Sequence, residues 1–121
     1  MTTRLIFTAS LLLFTSLTVA SNLNFLHDIT PISDFTKEDS KQFWDTVNTA
    51  LDTKKDGEKV AWKNQKSGNS GLVNPLTSYE EDKTACRDVR IINRSKKNIA
   101  ESMYKFCKKD GKWIVIHQIN E

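Results

Sequence analysis

Cys86 and Cys107 are symmetric in the chain about a point between Lys96 and Lys97. No other feature constrains the fold as tightly. If "TACRDVRIIN" and "NIAESMYKFCK" pair as antiparallel strands through a two-residue turn there, Cys86 falls opposite Cys107. The same register sets Asp88 opposite Lys105 and Arg90 opposite Met103. Side chains alternate along a strand, so the other face gathers Val89, Ile91, Ala100, Tyr104 and Phe106 into one apolar surface. Residues opposed in a non-hydrogen-bonded pair stand about 4.5 Å apart at Cα, within reach of a disulfide. Closing a loop of about twenty residues adds roughly 3 kcal/mol in the chain-entropy picture. The expectation is a Cys86–Cys107 bond between adjacent strands.

The flanking sequence supplies the remaining strands. "EKVAWK" at 58–63 is short and β-favourable, and "SGLVNPLTSYEE" at 70–81 is a second strand that Pro75 restricts to an edge or a bulge. "KWIVIHQI" at 112–119 follows "KDG", a strong hairpin signal. Links this short imply an antiparallel meander. Before them lies a helix, with Thr36 as N-cap and Asp39 three residues on, where an acid serves the orphan amides. Phe43, Trp44, Val47, Ala50 and Leu51 form one stripe, while Lys41, Asp45, Asn48 and Asp52 face away. "TKKDG" is expected to stop the helix, with lysines at its negative end and Gly57 as terminator. The fold class is therefore α+β, one amphipathic helix packed on an antiparallel meander sheet of about five strands.

Residues 61–79, "AWKNQKSGNSGLVNPLTSY", look most like a site. A phosphate-cradling loop needs a strand before it and a helix after it. Here a strand stands on both sides, and the Gly-Lys-Ser order of a nucleotide loop is missing. Gly68 and Gly71 are expected to supply positive φ in a hairpin turn.

That stretch, with "ACRDVRI" and "FCKKDGKWIV", resembles the carboxyl-terminal domain of the seventeen-kilodalton bacterial surface antigen family. The shared pattern begins with a helix ending in Ala50 and Leu51, then Gly57 before a strand with Trp62 and Asn64. It continues through a turn with Ser67, Gly68 and Gly71, a segment with Thr77 and Tyr79, and a strand with Cys86 and Arg87. Cys107 and a hairpin with Asp110, Gly111 and Trp113 complete it, so the likeness covers about residues 48–116. The resemblance implies an envelope protein of a Gram-negative bacterium, in a family with no established enzymatic activity. The chain departs from the family in lacking a lipoprotein cysteine after the signal, where residues 20–23 read Ala-Ser-Asn-Leu, and in lacking the glycine-rich membrane segment.

The first twenty residues read as a signal peptide. Arg4 is followed by an apolar run over 5–19, and Thr18, Val19 and Ala20 place small residues before Ser21. The competing reading is a membrane anchor, but about fifteen residues rise only about 22 Å against a hydrocarbon core of about 30 Å. No transmembrane segment is then expected after signal removal. Residues 21–35 read as an irregular lead-in, with Phe25 and Leu26 against the core, and 36–121 as one domain. Two cysteines in an exported chain fit one disulfide.

Loss of residues 1–20 removes one charge, Arg4, so a formal +3 becomes about +2, too little to argue for nucleic acid. The pairs Lys54–Lys55, Lys96–Lys97 and Lys108–Lys109 are all expected in turns, where lysines are solvated and guard strand ends. His27 lies in the lead-in and His117 near the carboxyl end, with no partners in sequence to complete a metal site, and no cofactor is expected. No nucleophile motif frames a serine, and both cysteines are committed to the disulfide.

The leading expectation is a non-enzymatic exported envelope module, surface-antigen-like, with a protein or peptidoglycan partner. The alternative is an inhibitor of an exported hydrolase, because cystatins share the helix-on-sheet layout, although their Gln-x-Val-x-Gly loop is missing. Trp62, Tyr79 and Trp113 are the aromatics that would face a ligand, with core packing as the competing reading. Asn93-Arg94-Ser95 fits the glycosylation pattern, which matters only on a eukaryotic secretory path. Mass spectrometry of protein from the native host should find the amino terminus at or near Ser21, without lipid. An intact Met1 on the mature protein would overturn the signal reading.

Overall fold

A computed structural model describes residues 33–120. The signal segment, most of the lead-in with Phe25, Leu26, His27 and Pro31, and Glu121 lie outside the described residues. Helix α1 (Lys37–Thr53) precedes strands β1 (Val60–Lys63), β2 (Ser70–Glu81), β3 (Thr84–Arg94), β4 (Ile99–Lys109) and β5 (Lys112–Ile119). The five strands form one antiparallel sheet in chain order. The α+β meander is as the sequence pattern requires.

The helix begins where its cap residues dictate. Thr36 accepts from the Asp39 N–H at 3.1 Å, and Asp39 accepts from the Thr36 N–H at 2.8 Å, closing a capping box. Phe43, Val47, Ala50 and Leu51 are buried, and Trp44 is half-buried with its ring 4.9 Å from that of Phe43. The core joins this stripe to Trp62, Val73, Val89, Ile91, Tyr104 and Phe106 on the facing side of the sheet. Such burial is the main stabilising term in a domain of this size.

The register between β3 and β4 is the one expected. Cys86 stands opposite Cys107, Asp88 opposite Lys105 and Arg90 opposite Met103. The disulfide forms, with Cα atoms 4.1 Å apart, the close spacing of a non-hydrogen-bonded pair. Pro75 sits in the interior strand β2 at a register shift between Pro75 and Thr77, so a bulge accommodates its missing donor. Asp110 and Gly111 both have positive φ, 50° and 76°, which closes the β4–β5 hairpin tightly.

Three expectations need correction. Helix α1 ends at Thr53 on an extended Lys54, and Gly57 (φ 88°) comes later, in a turn where its N–H donates to Pro75 O at 2.6 Å. No basic residue lies in the last helical turn. Lys108 and Lys109 belong to the end of β4 rather than to a turn, because the Asp110–Gly111 turn needs only two residues.

The third correction concerns Gly71. Gly68 has positive φ (76°) as expected, but Gly71 is an ordinary strand residue. Its glycine answers to space. A Cβ there would overlap Trp62 Nε1 and Asn93 Oδ1 and lie 2.9 Å from Ile92 O. Asn93 is fully buried against this point, so the folded chain has no room for a glycan on it. Gly71→Ala should therefore cost about 1–3 kcal/mol by overpacking, read as a lower urea midpoint. Glu80→Ala, exposed on the same strand, should stay within about 0.5 kcal/mol. Equal effects would refute the steric account.

Candidate functional site

Two polar clamps hold the ends of α1 to the sheet, and they account for most of the polar residues that resemble a site. At the amino end, Asp39 is fully buried. Its Oδ1 accepts from Asn64 Nδ2 at 2.8 Å and Ser67 Oγ at 2.7 Å. Its Oδ2 accepts from Asn69 Nδ2 at 2.8 Å and the Thr36 N–H at 2.8 Å. The β1–β2 loop is shaped to present these donors. Asn64 and Asn69 close it by an N–H to O bond of 2.9 Å, and the Asn69 N–H donates to Ser67 Oγ at 3.1 Å.

Burial works against the Asp39 charge, but the bonds from Ser67, Thr36, Asn69 and Asn64 outweigh it and hold the carboxyl down at about 2. Ser67 donates its O–H to a buried carboxylate that also takes three other donors, which ties the loop to the first turn of the helix. The loop that most resembles a site is a lock.

At the carboxyl end, Arg87 reaches from β3 into the core edge. Its guanidinium donates to Ala50 O at 3.1 Å and Leu51 O at 2.8 Å, and pairs with Asp56 Oδ1 at 2.9 Å. A cation on the last carbonyls is what the helix dipole favours. Asp56 also accepts from Ser78 Oγ at 2.7 Å, and these two bonds, Ser78 first and then Arg87, lower its pKa. The sequence pattern placed Arg87 on a strand without a role; its reach to helix carbonyls 36 and 37 residues back supplies one.

The three aromatics singled out from sequence separate. Trp62 is buried in the core, edge-on to Phe35 at 5.2 Å between ring centroids. Tyr79 donates to Asp88 Oδ1 at 2.8 Å, with Lys105 Nζ 5.8 Å from its ring. Burial, the bond to Asp88 and the charges of Asp88 and Glu81 push its hydroxyl up to about 12. Trp113 is half-buried and donates from Nε1 to Asp52 Oδ1 at 2.8 Å, with Lys108 Nζ 5.7 Å from its ring. Tyr79 and Trp113 both line a groove of about 450 Å³ at the helix carboxyl end, together with Lys54, Lys55, Asp56 and Arg87. Trp62 takes no part in it.

His117 is exposed on β5, and among the described residues no three His, Cys, Asp or Glu side chains converge as a metal site would need. No helix among them is long and apolar enough to cross a membrane. Comparison with family models, curated proteins and solved structures found no match.

The acid response follows from the Asp39 lock. Its stabilisation is complete above the unfolded carboxyl pKa of about 4 and is lost as pH falls through the folded value near 2. Asp56, also lowered, acts in the same direction. Asp39→Asn sets an amide donor against the loop donors and should cost about 3 kcal/mol at pH 7. Urea melts between pH 7 and 2 should show the wild type losing stability below about pH 4 and the variant losing less. A variant with unchanged stability and unchanged acid slope would refute the lock.

Proposed function

We propose that this chain is an exported cell-envelope protein whose α+β domain serves as a non-enzymatic binding or structural module, similar to the carboxyl-terminal domain of the seventeen-kilodalton surface antigen family. The observation that supports this reading is the Cys86–Cys107 disulfide, since such bonds persist in oxidising compartments and are rare in the cytosol. The resemblance supports it from a second direction. Several positions that carry it, among them Asn64, Ser67, Arg87, Cys86 and Cys107, are those that fasten helix to sheet or strand to strand. A shared framework of this kind speaks for a shared fold, and the envelope address comes with the family.

Fractionation of the native host with thiol trapping tests the reading. The protein should appear in the periplasmic or outer-membrane fraction with no alkylatable thiol, and should capture an envelope component from detergent extract. A cytoplasmic protein with two free thiols overturns it. Capture and inhibition of an exported hydrolase would replace the module with an inhibitor.

A further inference from the structure

We infer that the groove at the carboxyl end of α1 is a binding site for a small acidic saccharide. The inference rests on the envelope reading for where such a ligand is met, and on the geometry for what it is. The groove is shallow and open to solvent, with a volume of about 450 Å³. Its one acid, Asp56, is already paired with Arg87, and Arg87 is turned to the helix carbonyls. Lys54 and Lys55 remain. Neither ammonium has an ion-pair partner among the described residues, whereas Lys41 and Lys105 are paired with Asp45 and Glu81. Lys54 and Lys55, with Lys108 over the Trp113 ring, outnumber the two further carboxylates beside the groove, Asp52 on the indole N–H and Glu58 on the Lys55 N–H.

Trp113 supplies an aromatic wall of the same groove. Trp113 is held by its bond to Asp52, so a partly exposed indole is oriented before any ligand arrives, and little freedom is lost on binding. The backbone carrying the lysines is likewise pinned, by Asp56 to Arg87 and by the Gly57 N–H to Pro75 O. A bare inorganic anion would use the lysines and ignore the wall and the volume. A neutral sugar would use the wall and ignore the lysines. A polyanion would need a broader basic surface than the chain provides, with a formal charge of +3 that falls to about +2 once Arg4 is lost. A sugar ring bearing a carboxylate uses all three features.

Titration calorimetry on the full oxidised protein at pH 7 and low salt tests this with N-acetylmuramic acid, whose lactyl carboxylate is carried on the sugar ring, a neutral N-acetylglucosamine trimer and inorganic phosphate. The acidic saccharide should bind, and the other two should bind at least about tenfold more weakly. Lys54→Ala/Lys55→Ala should weaken it by about tenfold. Lys96→Ala/Lys97→Ala, which removes equal charge at the opposite end of the sheet, should stay within about twofold. Melting curves check that both variants fold. Absence of binding at millimolar N-acetylmuramic acid, equal binding of phosphate or of the neutral trimer, or equal loss in the two lysine variants overturns the inference. If that happens in a protein found in the envelope, the groove assignment alone falls; a cytoplasmic protein overturns the envelope reading instead.

Discussion

The position of the helix depends on one buried carboxylate. Hydrophobic burial drives α1 onto the sheet, but it is non-directional, and an apolar stripe can slide or rotate at modest cost. Asp39 removes that freedom. Its two oxygens take four donors, three of them from the loop between β1 and β2, so the first turn of the helix has one place to sit. An ionised group in such a position is costly when any donor is missing, which makes alternative placements far worse than the native one. Arg87 does the equivalent at the other end. Each charge also has the sign that its end of the helix dipole prefers.

Strand alternation links this arrangement to the disulfide. Cys86 and Arg87 are neighbours on β3, so one points to the open face and the other to the helix. Cys86 binds β3 covalently to β4, while Arg87, one residue on, grips the last carbonyls of α1. The strand that carries the cap is thereby fixed in register and cannot slip without breaking the bond. Sheet register and helix position are set at the same point in the chain.

The sequence made local order legible and long-range partnership obscure. Register between β3 and β4 could be read because cysteine symmetry and apolar alternation gave the same answer. The Thr36–Asp39 capping box was visible because its partners are three residues apart. The three other partners of Asp39 are 25, 28 and 30 residues away, and nothing in a linear pattern marks a cap as a lock. Arg87 was hidden for the same reason, its helix partners lying 36 and 37 residues back. Gly71 misled because a glycine within "SGNSG" looks like turn chemistry. Its true constraint comes from Trp62 and Asn93 on the two flanking strands. Trp62, for which both a ligand-facing and a core position were open, occupies the core.

The two locks spend the polar groups at both ends of the helix on the fold itself. Asn64, Ser67 and Asn69 each donate to Asp39. Asp56 pairs with Arg87, whose other terminal nitrogen bonds the helix end. Functional groups on rigid frameworks are carried by short loops whose backbone is fixed and whose side chains are free. The segment between α1 and β1 meets both conditions: its backbone is tied at Asp56 and Gly57, and its lysine side chains are uncommitted. The same clamp that ends the helix therefore presents Lys54 and Lys55 beside Trp113. Stability and the proposed binding groove draw on a single set of contacts, so the groove keeps its shape for as long as the helix keeps its cap.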